Sequence, residues 1–151
     1  MCNVQCAMCN VQCAMCNVQC AMCNVQSDGN GERMDNNNVI LKKSKAFALR
    51  IIKLYQFLCD SKKEYVLSKQ ILRSGTSVGA NAKEGVNAQS KADFYAKMYI
   101  AYKEANETEY WLELLYESGY IETKAFESMY SDCKELIKIL ASITKHKKES
   151  N

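Results

Sequence analysis

Seven of the nine cysteines lie within the first 23 residues, and their spacing is the first feature of the chain that could do chemistry. They belong to the heptapeptide Met-Cys-Asn-Val-Gln-Cys-Ala, which occurs three times from Met1 and then in part from Met22. The repeat creates three C-x-x-C pairs, Cys6/Cys9, Cys13/Cys16 and Cys20/Cys23. Such pairs can hold a soft metal ion, but identity at every position is more typical of a recently duplicated stretch of DNA. We therefore predict no metal site there.

Catalytic chemistry has little support elsewhere. The carboxylates Glu104, Glu107, Glu109 and Glu113 suggest a di-metal helical bundle, but such a centre also needs histidines on the same helices. The single histidine, His146, lies among lysines near the C-terminal end, where we expect a solvated side chain. The sequence therefore predicts a protein that is not an enzyme, with no catalytic residue, no metal and no cofactor.

Two further cysteines, Cys59 and Cys133, fall on apolar faces of predicted helices. We expect buried, reduced thiols of a cytoplasmic protein. A disulfide between them depends on a geometry that spacing alone does not give.

The segment 74–79 contains Gly75 and Gly79 and superficially resembles a phosphate-binding loop. No strand precedes it and no Gly-Lys-Ser/Thr ending follows, so a phosphate loop is the poorer interpretation. Each glycine inside a helix costs about 1 kcal/mol relative to alanine, and this pair is spaced i, i+4 on one face. We predict close approach of a neighbouring helix at both positions, so that Gly79→Leu would overpack the contact.

Four helical segments must position these residues. The chain has no proline, is 48% hydrophobic and contains no uncharged apolar run near 20 residues. Apolar spacings of three and four predict helix one over 38–59 and helix four over 123–145. Helix two is expected to follow an S-x-x-E capping box at Ser61–Glu64. A second capping box at Ser90–Asp93 opens helix three, which is predicted to end at 118–119. The predicted fold is all-α, an antiparallel up-down-up-down four-helix bundle.

The domain organisation follows from the repeat. Residues 1–33 are a low-complexity repeat and linker that we place outside the fold, and residues 34–151 form the bundle. Gly31-Glu32 can be encoded by a purine tract resembling a bacterial ribosome-binding site. We therefore interpret Met34 as the natural start.

A family resemblance supports this fold. The segment Ile71–Gly85, together with Asp93-Phe94, Lys97-Met98, Lys103–Thr108 and Tyr110-Trp111-Leu112, resembles the four-helix bundle family of the 23S ribosomal RNA intervening-sequence proteins. The resemblance covers roughly residues 40 to 145. It implies a small bundle without established enzymatic activity, related to the accessory protein of diversity-generating retroelements. That relation implies a pentameric ring that binds nucleic acid and a reverse transcriptase.

Lysines gather at one end of the predicted bundle, although the net charge of the whole chain is only +3. The alternation of helix directions brings the start of helix one, the second loop and the end of helix four together. The candidate nucleic-acid-binding residues at this end are Lys42, Lys43, Lys45, Lys83, Lys91, Lys97, Lys145, Lys147 and Lys148. The opposite end is expected to gather Asp60, Glu64, Glu113, Glu117, Glu122 and Glu127 against Lys62, Lys63 and Lys124. Solvated lysines that merely complement helix dipoles are the alternative explanation.

Helix three carries a second, aromatic stripe beside its apolar one. The tyrosine ridge consists of Tyr95, Tyr99, Tyr102 and Tyr110. Tyrosines beside lysines can stack nucleic-acid bases, but both stripes of one helix cannot be buried within a single small bundle. We therefore assign the ridge to a contact between copies of the chain.

The sequence thus predicts a cytoplasmic, homo-oligomeric bundle that binds RNA or DNA through its lysine-rich end, with a reverse transcriptase as a possible protein partner and no membrane partner. The alternative is a protein-interaction scaffold without a nucleic-acid role. A steep fall of affinity with salt distinguishes the first from the second.

Overall fold

The computed structural model describes residues 36–145 of the 151-residue chain. It contains four helices, α1 (Asn36–Asp60), α2 (Leu67–Val86), α3 (Lys91–Glu117) and α4 (Thr123–Lys145). No strand occurs within this range, and the predicted all-α fold is confirmed. The repeat, the linker, the proposed start at Met34 and the last six residues with His146 lie outside the described residues.

The helices form an up-down-up-down bundle in which each packs against its neighbours along the chain and α4 packs back on α1. Between α1 and α4, Arg50 donates to the carbonyl oxygen of Ser128, whereas Lys43 donates to Glu135. Moving backwards along α1 therefore means moving forwards along α4, so the two helices are antiparallel. The other neighbouring pairs show the same reversal, in the contacts Ser74–Thr108 and Glu84–Lys97 between α2 and α3, and Glu109–Tyr130 and Tyr116–Thr123 between α3 and α4.

The core lies along the bundle axis and is built from all four helices. Its largest fully buried side chains are Phe47, Ile40, Ile51, Leu58, Ile71, Met98, Leu112, Leu115, Leu136 and Leu140. One polar pair is buried among them: the hydroxyl oxygens of Thr108 and Ser74 lie 2.9 Å apart, and the Thr108 hydroxyl oxygen lies 2.8 Å from the Glu104 carbonyl oxygen. Because buried hydroxyls are costly unless bonded, this pair fixes the register of α2 against α3.

The two glycines of α2 face α1, as the spacing predicts, but they differ in how closely α1 approaches. A Cβ atom at Gly75 would lie 2.7 Å from Cγ1 of Ile51, which is fully buried. At Gly79 the nearest atom to such a Cβ would be the backbone oxygen of Ser44, at 3.5 Å. α1 therefore contacts α2 at both glycines, as predicted, but only Gly79 leaves room for a methyl group.

The first amides of α2 are capped by a buried carboxylate. Glu64 accepts hydrogen bonds from the backbone amides of Val66, Leu67 and Ser68 at 2.9, 2.8 and 2.6 Å. The Ser68 hydroxyl donates back to the Glu64 carbonyl oxygen at 2.8 Å. Glu64 thus satisfies donors that a helix start otherwise leaves free.

The predicted capping box at Ser61–Glu64 is therefore wrong. The Glu64 amide donates to the Leu58 carbonyl oxygen rather than to Ser61, and the chain turns at Lys63 with a φ of 54°. This turn delays the start of α2 to Leu67 and leaves the apolar side chain of Val66 70% exposed.

The predicted N-cap at Ser90 is confirmed at the start of α3. The Ser90 hydroxyl accepts from the Asp93 amide at 3.1 Å. The helix ends as predicted at Ser118, and Gly119 follows with a φ of 76°, a conformation that favours glycine.

Candidate nucleic-acid and oligomer interfaces

The bundle brings the predicted lysines together at one end. Lys42 and Lys45 are exposed near the start of α1, Lys83 is exposed near the end of α2, Lys91 opens α3 and Lys145 closes α4. None of these five makes an ion pair among the described residues. Lys147 and Lys148 lie outside the described range, and their assignment remains a prediction.

Two of the predicted lysines have acidic partners. Lys43 bonds to Glu135 of α4 at 2.9 Å, and Lys97 bonds to Glu84 of α2 at 2.6 Å. The hydrogen bond and negative charge of Glu84 raise the pKa of Lys97 above its ordinary value. These two lysines therefore join neighbouring helices and offer less charge to a ligand than the exposed five.

The sequence interpretation missed one lysine of this end. Lys138 of α4 lies three residues beyond Glu135, in the direction of Lys145, and is exposed without an ion pair in the described structure. It stands two helical turns before Lys145 on the same side of the helix. The predicted direction of α4 and the seven-residue spacing from Lys138 to Lys145 would have placed Lys138 among the predicted lysines.

A shallow, open depression of about 400 Å³ lies where α2 connects to α3. Its lining includes Lys83, Asn87, Gln89, Asp93 and Lys97. Lysine and amide donors suit phosphate oxygens, but the carboxylate of Asp93 in the same wall disfavours a tightly bound anion. The depression is therefore poorly suited to hold a phosphate group.

The opposite end is less acidic than the sequence predicts. Glu64 is buried as the cap of α2, and Glu113 accepts a hydrogen bond from Tyr130 at 3.2 Å. The exposed Lys69 near the start of α2 adds to the expected Lys62, Lys63 and Lys124. Asp60, Glu117, Glu122 and Glu127 are therefore nearly balanced by lysines, and the charge asymmetry of the bundle comes from its lysine-rich end.

The tyrosine ridge lies on the outer side of α3, with unequal exposure. Tyr99 and Tyr110 are 54% and 53% exposed, whereas Tyr95 and Tyr102 are half-buried. Tyr99 and Tyr102 stack with ring centroids 6.2 Å apart, and Nζ of Lys103 lies 5.7 Å above the Tyr99 ring. Three turns of helix separate Tyr99 from Tyr110, a distance of about 16 Å.

Apolar residues border the ridge, together with the charged Lys103 and Glu117. Ala92 and Ala96 are exposed on the same side of α3, and Ile100 and Leu114 are half-buried there. A solvent-facing helical surface of this composition is typical of an interaction site, since the exposed outer side of a bundle helix is otherwise charged. All four predicted tyrosines belong to this surface, with Tyr99 and Tyr110 offering most of it.

The charged residues of the family-like segment hold α2 against α3. Arg73 bonds to Glu104 and Glu107, and Nε1 of Trp111 donates to Glu107 at 3.1 Å. Partial burial works against ionisation of Glu107, but Trp111 and Arg73 outweigh it and lower the pKa of Glu107. These residues are structural, and the predicted absence of a di-metal function for the carboxylates stays an expectation.

A second polar cluster joins α3 to α4. Glu109 accepts from Tyr130 at 2.8 Å and from Nζ of Lys134 at 2.7 Å. Burial opposes ionisation of Glu109, whereas the bonds from Lys134 and Tyr130 lower its pKa below the ordinary value. The cluster ties the outer edges of the two helices.

The two bundle cysteines are free thiols. Cys133 is buried and donates to the Ala105 carbonyl oxygen at 3.3 Å, and burial raises the pKa of Cys133 to about 12. Cys59 is only half-buried, in contrast to the expectation of full burial. Among residues 36–145, no group of three His, Cys, Asp or Glu side chains is placed to hold a metal ion.

None of the helices in the described part of the chain is long and apolar enough to cross a membrane. The fold and its surfaces define a compact four-helix bundle with a lysine-rich end and an aromatic outer ridge. The family described as 23S rRNA-intervening sequence protein matches residues 36–142. The chain belongs to this family, which confirms the resemblance seen in the sequence.

The solved structure of another protein is similar to that of this chain. It is a protein of unknown function from the S23 ribosomal protein family of Bacteroides thetaiotaomicron VPI-5482, 56% identical to this chain. The match covers 74% of this chain and 99% of that one, with a TM-score of 0.72. No curated protein matches the chain.

Proposed function

We propose that the protein is a non-enzymatic, homo-oligomeric accessory bundle of the cytoplasm that binds the phosphate backbone of RNA or DNA through its lysine-rich end. The family description, which refers to intervening sequences of 23S rRNA, supports a nucleic-acid context. A reverse transcriptase is the protein partner implied by the family resemblance.

The observation that carries this proposal is a set of exposed lysines at one end without ion pairs among the described residues. They are Lys42, Lys45, Lys83, Lys91, Lys138 and Lys145. Three carboxylates share this end in the described range, Glu84, Asp93 and Glu135, and two of them are held by Lys97 and Lys43. Such an excess of cations is what a phosphate backbone requires.

Self-association would multiply this charge. A subunit with six exposed lysines at one end is a modest binder, since the net charge of the chain is only +3. Parallel subunits would present several such ends to one strand, and linked contacts raise overall affinity without new interactions. The tyrosine ridge supplies the surface for this self-association.

A salt series tests the proposal. Fluorescence anisotropy with a labelled RNA hairpin and a DNA duplex, from about 50 to 200 mM salt, should give an association constant that falls linearly on logarithmic axes. The triple variant Lys45→Gln, Lys83→Gln, Lys138→Gln should reduce the slope by about 2 to 3, because each lost phosphate contact removes about 0.9.

The opposite end provides a matched control. The variant Lys62→Gln, Lys63→Gln, Lys124→Gln removes the same charge and should leave the slope unchanged. Equal losses in both triple variants would show that only net charge matters. Weak binding that does not depend on salt would refute a nucleic-acid role.

A protein-interaction scaffold is the second candidate, because the ridge at Tyr99 and Tyr110 is suited to a protein contact. It predicts self-association that persists while both nucleic acids fail to bind. The same salt series therefore separates the two functions.

A further inference from the structure

The depression between α2 and α3, at the lysine-rich end, has walls whose charges balance. Two lysines, Lys83 and Lys97, and two carboxylates, Glu84 and Asp93, belong to its lining. A phosphate group would meet as many negative as positive charges there, so the depression favours a ligand without net charge. Its volume of about 400 Å³ is within the range of small-molecule sites.

The rest of the lining combines hydrogen-bonding amides with apolar surface. Asn87 and Gln89 carry side-chain amides, and Ala88 lies between them in the chain. The amide nitrogen of Asn87 donates to the carbonyl oxygen of Lys83 at 2.9 Å, which leaves the side-chain oxygen of Asn87 as an acceptor. The methylene groups of Lys83 and Lys97 add apolar surface. A nucleobase has the matching combination of flat apolar faces and hydrogen-bonding edges.

Contacts on both helices hold these walls in place. Nζ of Lys97 bonds to Glu84 at 2.6 Å and thereby joins α3 to α2. The Ser90 hydroxyl accepts from the backbone amide of Asp93, so the Asp93 carboxylate takes no part in the cap. This carboxylate is exposed and makes no ion pair with another residue of the range 36–145. A site whose groups are ordered before binding loses less entropy when its ligand arrives.

A carboxylate beside a lysine discriminates among the four bases. Guanine presents two adjacent donors, N1–H and the N2 amino group, which match the two oxygens of a carboxylate. It also presents the acceptors O6 and N7, which lysine contacts. Uracil places its single ring N–H between two carbonyl oxygens, and adenine and cytosine place a ring acceptor next to the amino group. A carboxylate such as that of Asp93 would therefore meet a lone pair on each of these three bases.

We propose that this depression binds an unpaired guanine base of a single-stranded nucleic acid, with the Asp93 carboxylate accepting hydrogen bonds from N1–H and the N2 amino group. Exposed lysines of the same end, among them Lys91 two residues before Asp93, contact the flanking phosphates. A duplex hides this edge of its bases, so the site requires an unpaired nucleotide. The inference rests on the nucleic-acid binding of the proposed function and assigns the base that this end selects.

Oligonucleotides that differ in one base test the site without any change to the protein. Anisotropy of the full chain is measured with oligouridine of about ten nucleotides, a length typical of single-strand sites, and with the same strand carrying one central guanosine, adenosine or inosine. The guanosine strand should bind about tenfold more tightly than oligouridine, as expected for one bidentate base contact. The adenosine strand should match oligouridine. Inosine keeps N1–H but lacks the N2 amino group, so it should lose most of the gain.

The variant Asp93→Asn separates base recognition from general electrostatics. It removes a negative charge from the lysine-rich end, so oligouridine should bind slightly more tightly, whereas the guanosine strand should lose its advantage. Asp60→Asn removes the same charge at the opposite end and should keep the full guanine preference. Both side chains are exposed, so circular dichroism should show the parent helix content in both variants.

Other results would overturn the inference. Equal affinity of the parent for the guanosine and uridine strands, together with a steep dependence on salt, would refute the base site and leave the phosphate binding of the proposed function intact. A guanine preference that survives in Asp93→Asn would show that another group reads the base. Failure of every strand to bind at low salt would refute both the base site and the nucleic-acid role.

Discussion

The Ile51 side chain of α1 leaves no room for a side chain at Gly75 of α2. Ile51 is fully buried, and a Cβ on Gly75 would meet three of its side-chain carbons, the nearest at 2.7 Å. Isoleucine is branched at Cβ, so it cannot rotate away without entering a neighbouring side chain. α2 therefore approaches α1 as closely as a hydrogen atom at position 75 permits.

We expect Gly75→Ala to destabilise the bundle by about 1 to 2 kcal/mol, since overpacking outweighs the gain in helix propensity of about 1 kcal/mol. Gly79→Ala is the matched control, because a methyl group there meets Ser44 at an ordinary 3.5 Å. This second change should be neutral or stabilise by up to about 1 kcal/mol. Urea unfolding at one fixed protein concentration measures both, and two changes of the same sign would contradict the assigned contact.

Spacing alone predicted that both glycines face a neighbouring helix, and it could not rank them. The i, i+4 rule gives the side of the helix on which a residue lies. The room at each glycine depends on which atoms of the partner stand opposite, here the Ile51 side chain at Gly75 and the Ser44 backbone carbonyl at Gly79. Such pairings depend on the relative rotation of two helices, which one sequence does not contain.

At the scale of the helix, the start of α2 depends on one carboxylate. Burial of Glu64 opposes its ionisation, but the hydrogen bonds from the backbone amides of Leu67, Ser68 and Val66 prevail and lower the pKa of Glu64 below its ordinary value. A carboxyl whose pKa is lowered on folding stabilises the fold at pH values above its ordinary pKa. This contribution is lost as the pH falls through the lowered value.

Glu64→Gln should therefore destabilise the protein by about 1 to 2 kcal/mol at pH 7, because the amide side chain lacks the charge that strengthens the cap. The difference from the parent should shrink at pH values below the ordinary glutamate pKa, where the parent carboxyl also becomes protonated. Ser61→Ala, the other end of the predicted capping box, should change stability little at either pH. Urea unfolding at both pH values checks this, and a difference that is independent of pH would refute the role of the charge.

Helix ends were predictable where a cap and an apolar pattern coincided. Ser90 lies directly before the periodic positions of α3, and its role as N-cap was confirmed, as were the bounds of α4. At the start of α2 the sequence has the S-x-x-E pattern, but the capping box does not form. Lys63 adopts a left-handed backbone conformation there, which a lysine does not predict. The acidic residue of the pattern still caps the helix, but from a position outside it.

At the scale of the whole molecule, assembly and nucleic-acid binding should be coupled. An assembly of several subunits would present several lysine-rich ends to one ligand, so a monomer should bind RNA more weakly by a factor on the order of 10² or more. Two double variants of the ridge, Tyr99→Glu with Tyr110→Glu and Tyr99→Arg with Tyr110→Arg, should both show this loss in anisotropy at one salt concentration. The first adds negative charge and the second adds positive charge, so a loss in only one of them would indicate a charge effect instead.

The lysine-rich end itself was predictable from helix order, because helices that alternate in direction return their ends to the same place. Helix order does not predict which of these lysines are exposed to a ligand and which are paired with a carboxylate. Lys43 and Lys97 are engaged by carboxylates of adjacent helices, and Lys138 belongs to the same end although it lies within α4 rather than at its terminus. Ion pairing across helices depends on their relative rotation and register, which the residue pattern constrains only loosely.

Because α4 packs against α1, the last described helix lies beside the first. The first residue of α1 and the last of α4, Asn36 and Lys145, belong to antiparallel neighbours and lie at the same end of the bundle. The turn after α3 contains Gly119, around which a Cβ would meet no atom within 4 Å. A circular permutant that joins α4 to α1 and opens at Gly119 would keep every interhelical contact, and its new termini would emerge at the end opposite the lysines.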